Sequence, residues 1–173
     1  TLAKVLCKML NPSSGTLLVE GVNLKQISSE WWFNNIIYLP QEPSFINGSI
    51  RSNFLSFNPE LKANDIHHLL DKVGLSTLVD ENPEGLDQRL QGHGRHLSLG
   101  VRRRLALARA LSRQGSLAIL DEPTEGMDPD GAAAVYNVLN ELVQQKRTVI
   151  VFSHDRTIVR GAHKFLNLGD ISS

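Results

Sequence analysis

The first ten residues, TLAKVLCKML, place Leu2, Val5, Leu6, Met9 and Leu10 at helical spacing and predict an amphipathic helix that the chain enters part-way. NPSSG (11–15) is a turn signal, and TLLVEGVNL (16–24) reads as a strand with a bend at Gly21. Ser28 or Ser29 is placed to cap a short helix ahead of the apolar strand IIYLP (36–40). Ile66, Leu69, Leu70 and Val73 share one helical face that ends at Gly74. A second long helix fits LSLGVRRRLALARALSR (97–113), with Leu105, Ala108, Leu111 and Ser112 on one side and the arginines projecting elsewhere. The last third changes period: a continuous apolar strand LAIL, a helix from about 129 to 145, a strand TVIVFS, then a short helix and HKFLNLG.

Strand, helix and strand at this spacing predict an α/β fold with a mostly parallel sheet joined by right-handed crossovers. There are no internal repeats and no low-complexity linker, so 173 residues read as one domain or a compact core with a subdomain.

Composition narrows the function classes. Lys+Arg and Asp+Glu balance at 18 each, so bulk charge points to neither a nucleic-acid partner nor an acidic tail, and any anion site must be local. Cys7 is the only cysteine, which excludes an internal disulfide and a cysteine-rich zinc site. No run approaches the roughly 20 apolar residues of a membrane span. Trp31 and Trp32 read as packing residues rather than a stacking platform.

The chemistry concentrates in LAILDEPTEGMD (117–128). A buried parallel strand delivers its last residues to the carboxyl edge of the sheet, where ligands of α/β folds sit, so Asp121 and Glu122 emerge at a site mouth. One carboxylate there can hold a hydrated Mg²⁺ and the other can orient or deprotonate a water, the division of labour in phosphoryl transfer. Taken alone, DEPT also reads as an ordinary helix cap. Upstream, Ser98 to Val101 open a helix with a hydroxyl, free N–H groups and a positive dipole end, which suits a phosphate; downstream, VIVFSHD brings His154 to a strand end.

In this order the segments resemble the nucleotide-binding domain of an ATP-binding cassette (ABC) transporter, over nearly the whole chain. YLPQEPSFINGSIRSNF resembles the Q-loop and the helical segment after it, in the version found in exporters. The resemblance implies that Gln41 senses Mg²⁺ and the attacking water. LSLGV stands where the signature LSGGQ would be, implying that Ser98 and Gly100 contact the γ-phosphate of ATP bound on the opposite subunit. LAILDE resembles the Walker B strand, with Asp121 on Mg²⁺ and Glu122 as catalytic base. EGMD sits where the D-loop would be, so Asp128 would communicate across a dimer interface, and His154 matches the switch histidine on the γ-phosphate.

The same resemblance implies a P-loop NTPase-like core from 1–40 and 114–173, with the Q-loop, helical subdomain and signature helix between 41 and 113. Expected ligands are ATP and Mg²⁺. Expected partners are transmembrane domains of the same or another chain and a second nucleotide-binding domain in a homo- or heterodimer, at the cytoplasmic face of a bacterial plasma (inner) membrane. Nowhere does the sequence contain G-x-x-x-x-G-K-[ST], the loop that cradles phosphates. In the family the helix after that loop begins much as TLAKVL does, so Thr1 is expected to follow a missing Lys-Ser or Lys-Thr pair, and this chain alone is expected to bind ATP poorly and to be inactive.

Leu99 and Val101 depart from the signature, and a Leu at a close backbone approach adds bulk where Gly would not. His93 lies where exporters commonly carry a glutamate that meets the membrane domain. Two further readings are a degenerate regulatory half with weak hydrolysis, which Leu99 and Val101 favour and Glu122 and His154 oppose, and a D-E-x-x helicase core. The latter conflicts with LSLG, with the Q-loop and with the weak basic character of the chain.

Overall fold

The computed structural model describes residues 2–168, so Thr1 and the last residue of HKFLNLG lie outside the described residues. The centre is a parallel three-stranded sheet, ordered β3–β6–β7, from β3 (Ile36–Leu39), β6 (Leu117–Asp121) and β7 (Thr148–Phe152). The pairings run Leu39 to Leu120 and Asp121 to Phe152, so the three strands end together at one edge.

Alternation along these strands divides the core. Ile37, Leu39, Ala118 and Leu120 face a large apolar cluster, while Ile36 and Ile119 face a smaller one that contains Ala3, Cys7, Leu24 and Trp32. The smaller cluster is covered by α1 (Leu2–Leu6), by a hairpin of β1 (Leu18–Val19) and β2 (Val22–Asn23), and by α2 (Ser29–Asn34). The larger side carries α3 (Ile50–Leu55), α4 (Ala63–Lys72), α5 (Ser76–Asp80), α6 (Leu99–Leu111) and α7 (Pro129–Gln144). A two-residue ladder of β4 (Gly48–Ser49) with β5 (Arg89–Leu90) and a short α8 (Arg156–Gly161) complete the elements used below. Among the described residues no helix is long and apolar enough to cross a membrane.

Three expectations change. The first helix stops at Leu6 because Lys8 takes φ +57, and Lys8 N–H and Met9 N–H return to the carbonyls of Val5 (3.0 Å) and Lys4 (2.8 Å). This is the Schellman termination, and it throws Met9 and Leu10 out of the helix into solvent. Gly74 ends α4 in the same way, with Gly74 N–H on Asp71 and Leu75 N–H on Leu70, both at 2.9 Å. The strand expected over 16–24 is a tight hairpin: Val19 pairs with Val22, and Glu20 and Gly21 both take positive φ, the requirement of a type I′ turn.

The third change concerns the arginines of α6. Arg103 and Arg109 do not project away but are 2% and 8% exposed, because α6 is enclosed nearly all round and carbonyls and rings receive their guanidinium groups. Arg109 lies between Phe45 and Phe57, 4.7 and 4.3 Å from the ring centres, and donates to Ser44 O at 2.9 Å and Asn53 Oδ1 at 3.3 Å. Burial, then repulsion from Arg113, lowers its pKa to about 10, which leaves it charged at neutral pH. The tryptophans divide: Trp32 is core and donates its ring N–H to Leu6 O, whereas Trp31 is exposed.

Candidate functional site

The parallel register brings the residues after β3, β6 and β7 to one edge, so Gln41, the pair Asp121–Glu122 and the pair Ser153–His154 share it. Glu122 extends the ladder by one step through its N–H on Phe152 O at 2.8 Å, then turns sharply at φ +47. A left-handed non-glycine residue costs about 1–2 kcal/mol, which the surrounding ladder and turn sustain. The turn aims the carboxylate across to β7, where it accepts from Ser153 Oγ at 3.3 Å and His154 N–H at 3.4 Å; its other oxygen lies 3.6 Å from His154 Nε2. These contacts are long, the Glu122 side chain keeps 17% of its exposure, and the imidazole is fully exposed. A carboxylate held in direction by long hydrogen bonds keeps lone pairs open to a water.

Asp121, the last residue of β6, shares the α1 side of the sheet with Leu117 and Ile119. It makes no hydrogen bond or ion pair with any described residue, and its charge is felt by its neighbours. Burial, then Asp121, pushes the Cys7 thiol up to about 12; burial, then Cys7 and Asp121, does the same to the Tyr38 phenol. Both therefore stay neutral at pH 7, and Asp121, unpartnered among the described residues, lies close to them. A carboxylate of this kind, on the sheet edge that also carries the Gln41 amide, fits Mg²⁺, which keeps waters and substrate oxygens as its other ligands. Among the described residues no group of three or more His, Cys, Asp and Glu side chains forms a metal cage.

Behind the edge lies a saturated cluster that sequence reasoning missed. Asp155 caps α8 on Thr157 N–H at 2.8 Å, and its other oxygen accepts from Thr124 Oγ1 at 2.8 Å and Tyr136 OH at 2.6 Å. Burial pushes this carboxyl up, but the hydrogen bonds from Tyr136, Thr124 and the Thr157 and Ile158 amides outweigh it and hold the pKa below the usual carboxylate range. The cluster ties the turn after β6 to α7 and to the residue following His154. Its only sequence signal is the adjacency of Asp155 to His154.

The remaining candidates lie at helix starts. Ser98 caps α6, accepting from Val101 N–H at 3.3 Å, and Asp128 caps α7, accepting from Gly131 N–H at 2.7 Å. Neither is hydrogen-bonded to Glu122 or His154 among the described residues. Gly100 is buried against the 126–127 turn of the same chain: a Cβ there would sit 3.1 Å from Gly126 O and 3.5 Å from Met127 Cα. Leu99, the departure from the signature, lies over Gly126, where a Cβ would meet Leu99 Cδ2 at 3.0 Å. Gln41 presents an exposed side chain, while its carbonyl accepts from Arg103. His93 takes φ +58 and its Nδ1 lies 2.8 Å from Phe45 O, which places the ring proton on Nδ1.

Comparison with known proteins agrees with this geometry. The chain is 29% identical over 94% of its length to ABC transporter B family member 21 of Arabidopsis thaliana, covering 12% of that protein. It is 32% identical over 97% of its length to the lactococcin-G-processing and transport ATP-binding protein LagD of Lactococcus lactis subsp. lactis, covering 24% of it. A bacterial Atm1-family ABC exporter solved with ATP bound superposes with a TM-score of 0.86 at 19% identity, over 93% of this chain and 28% of that one, which establishes the P-loop NTPase-like fold. The chain thus spans a quarter or less of the length of these two relatives. The ABC transporter family model matches residues 1–125, well over half of the chain, and the chain accordingly belongs to the ABC transporter family, as the ATP-binding domain of its exporter-type members.

Proposed function

We propose that this domain hydrolyses ATP to drive export. In this reading two such domains, from one chain or two, close on two ATP molecules; closure moves the attached transmembrane helices and hydrolysis resets them. Residues 1–40 and 114–173 form the catalytic core, and 41–113 the Q-loop, helical subdomain and signature helix that meet the membrane part. The setting is the cytoplasmic face of a bacterial plasma (inner) membrane, with no nucleic-acid partner.

Asp121 and Gln41 hold the Mg²⁺, which when bound supplies charge neutralisation at the transferring phosphate. Glu122 takes the proton of the attacking water, and His154 meets the γ-phosphate oxygens. Ser98 and Gly100 of one subunit close over the γ-phosphate held by the other, with Asp128 reaching across between them. The domain needs a phosphate-gripping loop that the 173 residues do not contain, so this chain by itself binds ATP poorly and turns over none.

The observation that carries the reading is the strand edge itself. Glu122 is turned by a left-handed backbone toward His154, its carboxylate held by long hydrogen bonds, one residue from Asp121, which is unpartnered among the described residues. The test is Glu122→Gln in the full-length protein. Phosphate release is expected to fall by about 10²–10³-fold, the range of a positioned general base, while ATP-dependent dimerisation, followed by light scattering, persists. Undiminished turnover removes Glu122 from the role of base.

A further inference from the structure

Arg103 lies five residues beyond the Ser98 cap, and its side chain is almost wholly enclosed. Nε and Nη2 both donate to Gln41 O, at 3.2 and 3.0 Å. Nη1 donates to Glu125 O, and Nη2 also reaches Glu125 Oε2 at 2.6 Å. Four of the five N–H groups of one planar cation are thereby spent on two segments remote in sequence: the one leaving β3 and the one leaving β6. The same two turns of α6 touch the second segment independently, through Gly100 against Gly126 and Met127 and through Leu99 against Gly126. Neither of Arg103's partners is a group that reacts. Gln41 lends only its carbonyl and keeps its side-chain amide free, and Glu125 stands three residues past Glu122 with its side chain half exposed.

Resting on the ATPase reading above, we propose that Arg103 is a positioning residue that fixes Gln41 and the 125–128 segment to the signature helix, so that these three parts of the site move as one body. Being rigid and planar, the guanidinium dictates the angle between the two segments; a lysine ammonium, with three rotatable donors and no fixed plane, does not. If α6 shifts against the sheet, the carbonyl of Gln41 is pulled with it and the Gln41 side chain changes place at the strand edge that carries Asp121. Arg103 touches no reacting atom and acts through Gln41.

The test is a double-mutant cycle in the full-length protein, reading kcat and KM for ATP hydrolysis at saturating Mg²⁺. Arg103→Met is expected to lower kcat about tenfold with KM for ATP changed less than about twofold, since a misplaced positioning group affects geometry more than ground-state binding. In a Gln41→Ala background the same substitution should lower kcat less than about twofold, because the residue it acts through is gone. Arg103→Lys should recover only part of the loss. Glu125→Gln, half exposed and therefore tolerated by the fold even if Arg103→Met is not, should give a loss of about two- to threefold that also vanishes with Gln41→Ala. Losses that simply multiply with that of Gln41→Ala, or full activity of Arg103→Met or Glu125→Gln, overturn the positioning role. Where the wild-type protein hydrolyses ATP and Glu122→Gln abolishes it, such a result sinks this inference alone; a wild-type protein without turnover sinks both.

Discussion

The carboxyl edge of the sheet and the supports behind it treat polar groups in opposite ways. At the edge Asp121 has no partner among the described residues, Glu122 accepts hydrogen bonds of 3.3 and 3.4 Å, and the His154 ring stands in solvent. Behind it Asp155 accepts from three side-chain or backbone donors at 2.6–2.8 Å, and Arg103 spends four of its N–H groups. The groups proposed to exchange partners with a ligand are left underbound, and the groups behind them are saturated. The contrast predicts that substitutions in the two layers separate activity from stability.

Asp121→Asn should separate them most. Its carboxylate has no partner to lose among the described residues, so urea unfolding should shift by no more than about 0.5 kcal/mol. Mg²⁺-dependent phosphate release by the full-length protein should nevertheless fall at least about a hundredfold. A large loss of stability would break the distinction between the layers.

Asp155→Ala should do the reverse. Losing a helix cap and two side-chain donors at a partly exposed site is expected to cost about 2 kcal/mol in urea unfolding, with a smaller effect on turnover. The pH dependence has a definite sign. Because the folded-state pKa of Asp155 lies below its unfolded value of about 3.9, its contribution is complete above that pH and is lost as pH falls through the folded value. The gap in stability between wild type and Asp155→Ala should therefore narrow in acid below about pH 4 and stay constant from pH 5 to 8. A gap that persists at pH 2 would mean that the aspartate acts without its charge.

The smallest effect belongs to the contact between the layers. Gly126 takes φ +72, so Gly126→Ala should cost about 1 kcal/mol from the backbone alone, with a further steric part from Leu99. Leu99→Ala should relieve the steric part and leave the backbone part, read as a difference in urea midpoint between the single and double variants.

The edge was largely legible in sequence because local signals specify it: continuous apolar runs at 36–39, 117–120 and 149–152 announce strands, and their parallel order carries Gln41, Asp121, Glu122 and His154 to one end. The supports were not, because their partners are distant. Arg103 lies opposite Leu105 and Ser112 on the helical wheel, which reads as an outward position, and only the folded chain brings the carbonyls of residues 41 and 125 to it. The ladder of Gly48–Ser49 with Arg89–Leu90 is equally silent, being two residues long and joined across some forty positions. Lys8 and Glu20 were misread because positive φ at a lysine or a glutamate has no compositional marker.

The left-handed turn at residue 122 also shapes how such a domain can decay. A GAA or GAG codon becomes a glycine codon by one base change, and glycine is the residue that relaxes this backbone conformation while removing the carboxylate. Valine, equally near in the code, is β-branched and poorly tolerated there. Folding selection therefore offers little resistance to loss of the carboxylate by that route, and on the proposed role of Glu122 only selection on turnover preserves the glutamate. Duplicated copies relieved of that demand then have a short and stable path to domains that still fold without the carboxylate.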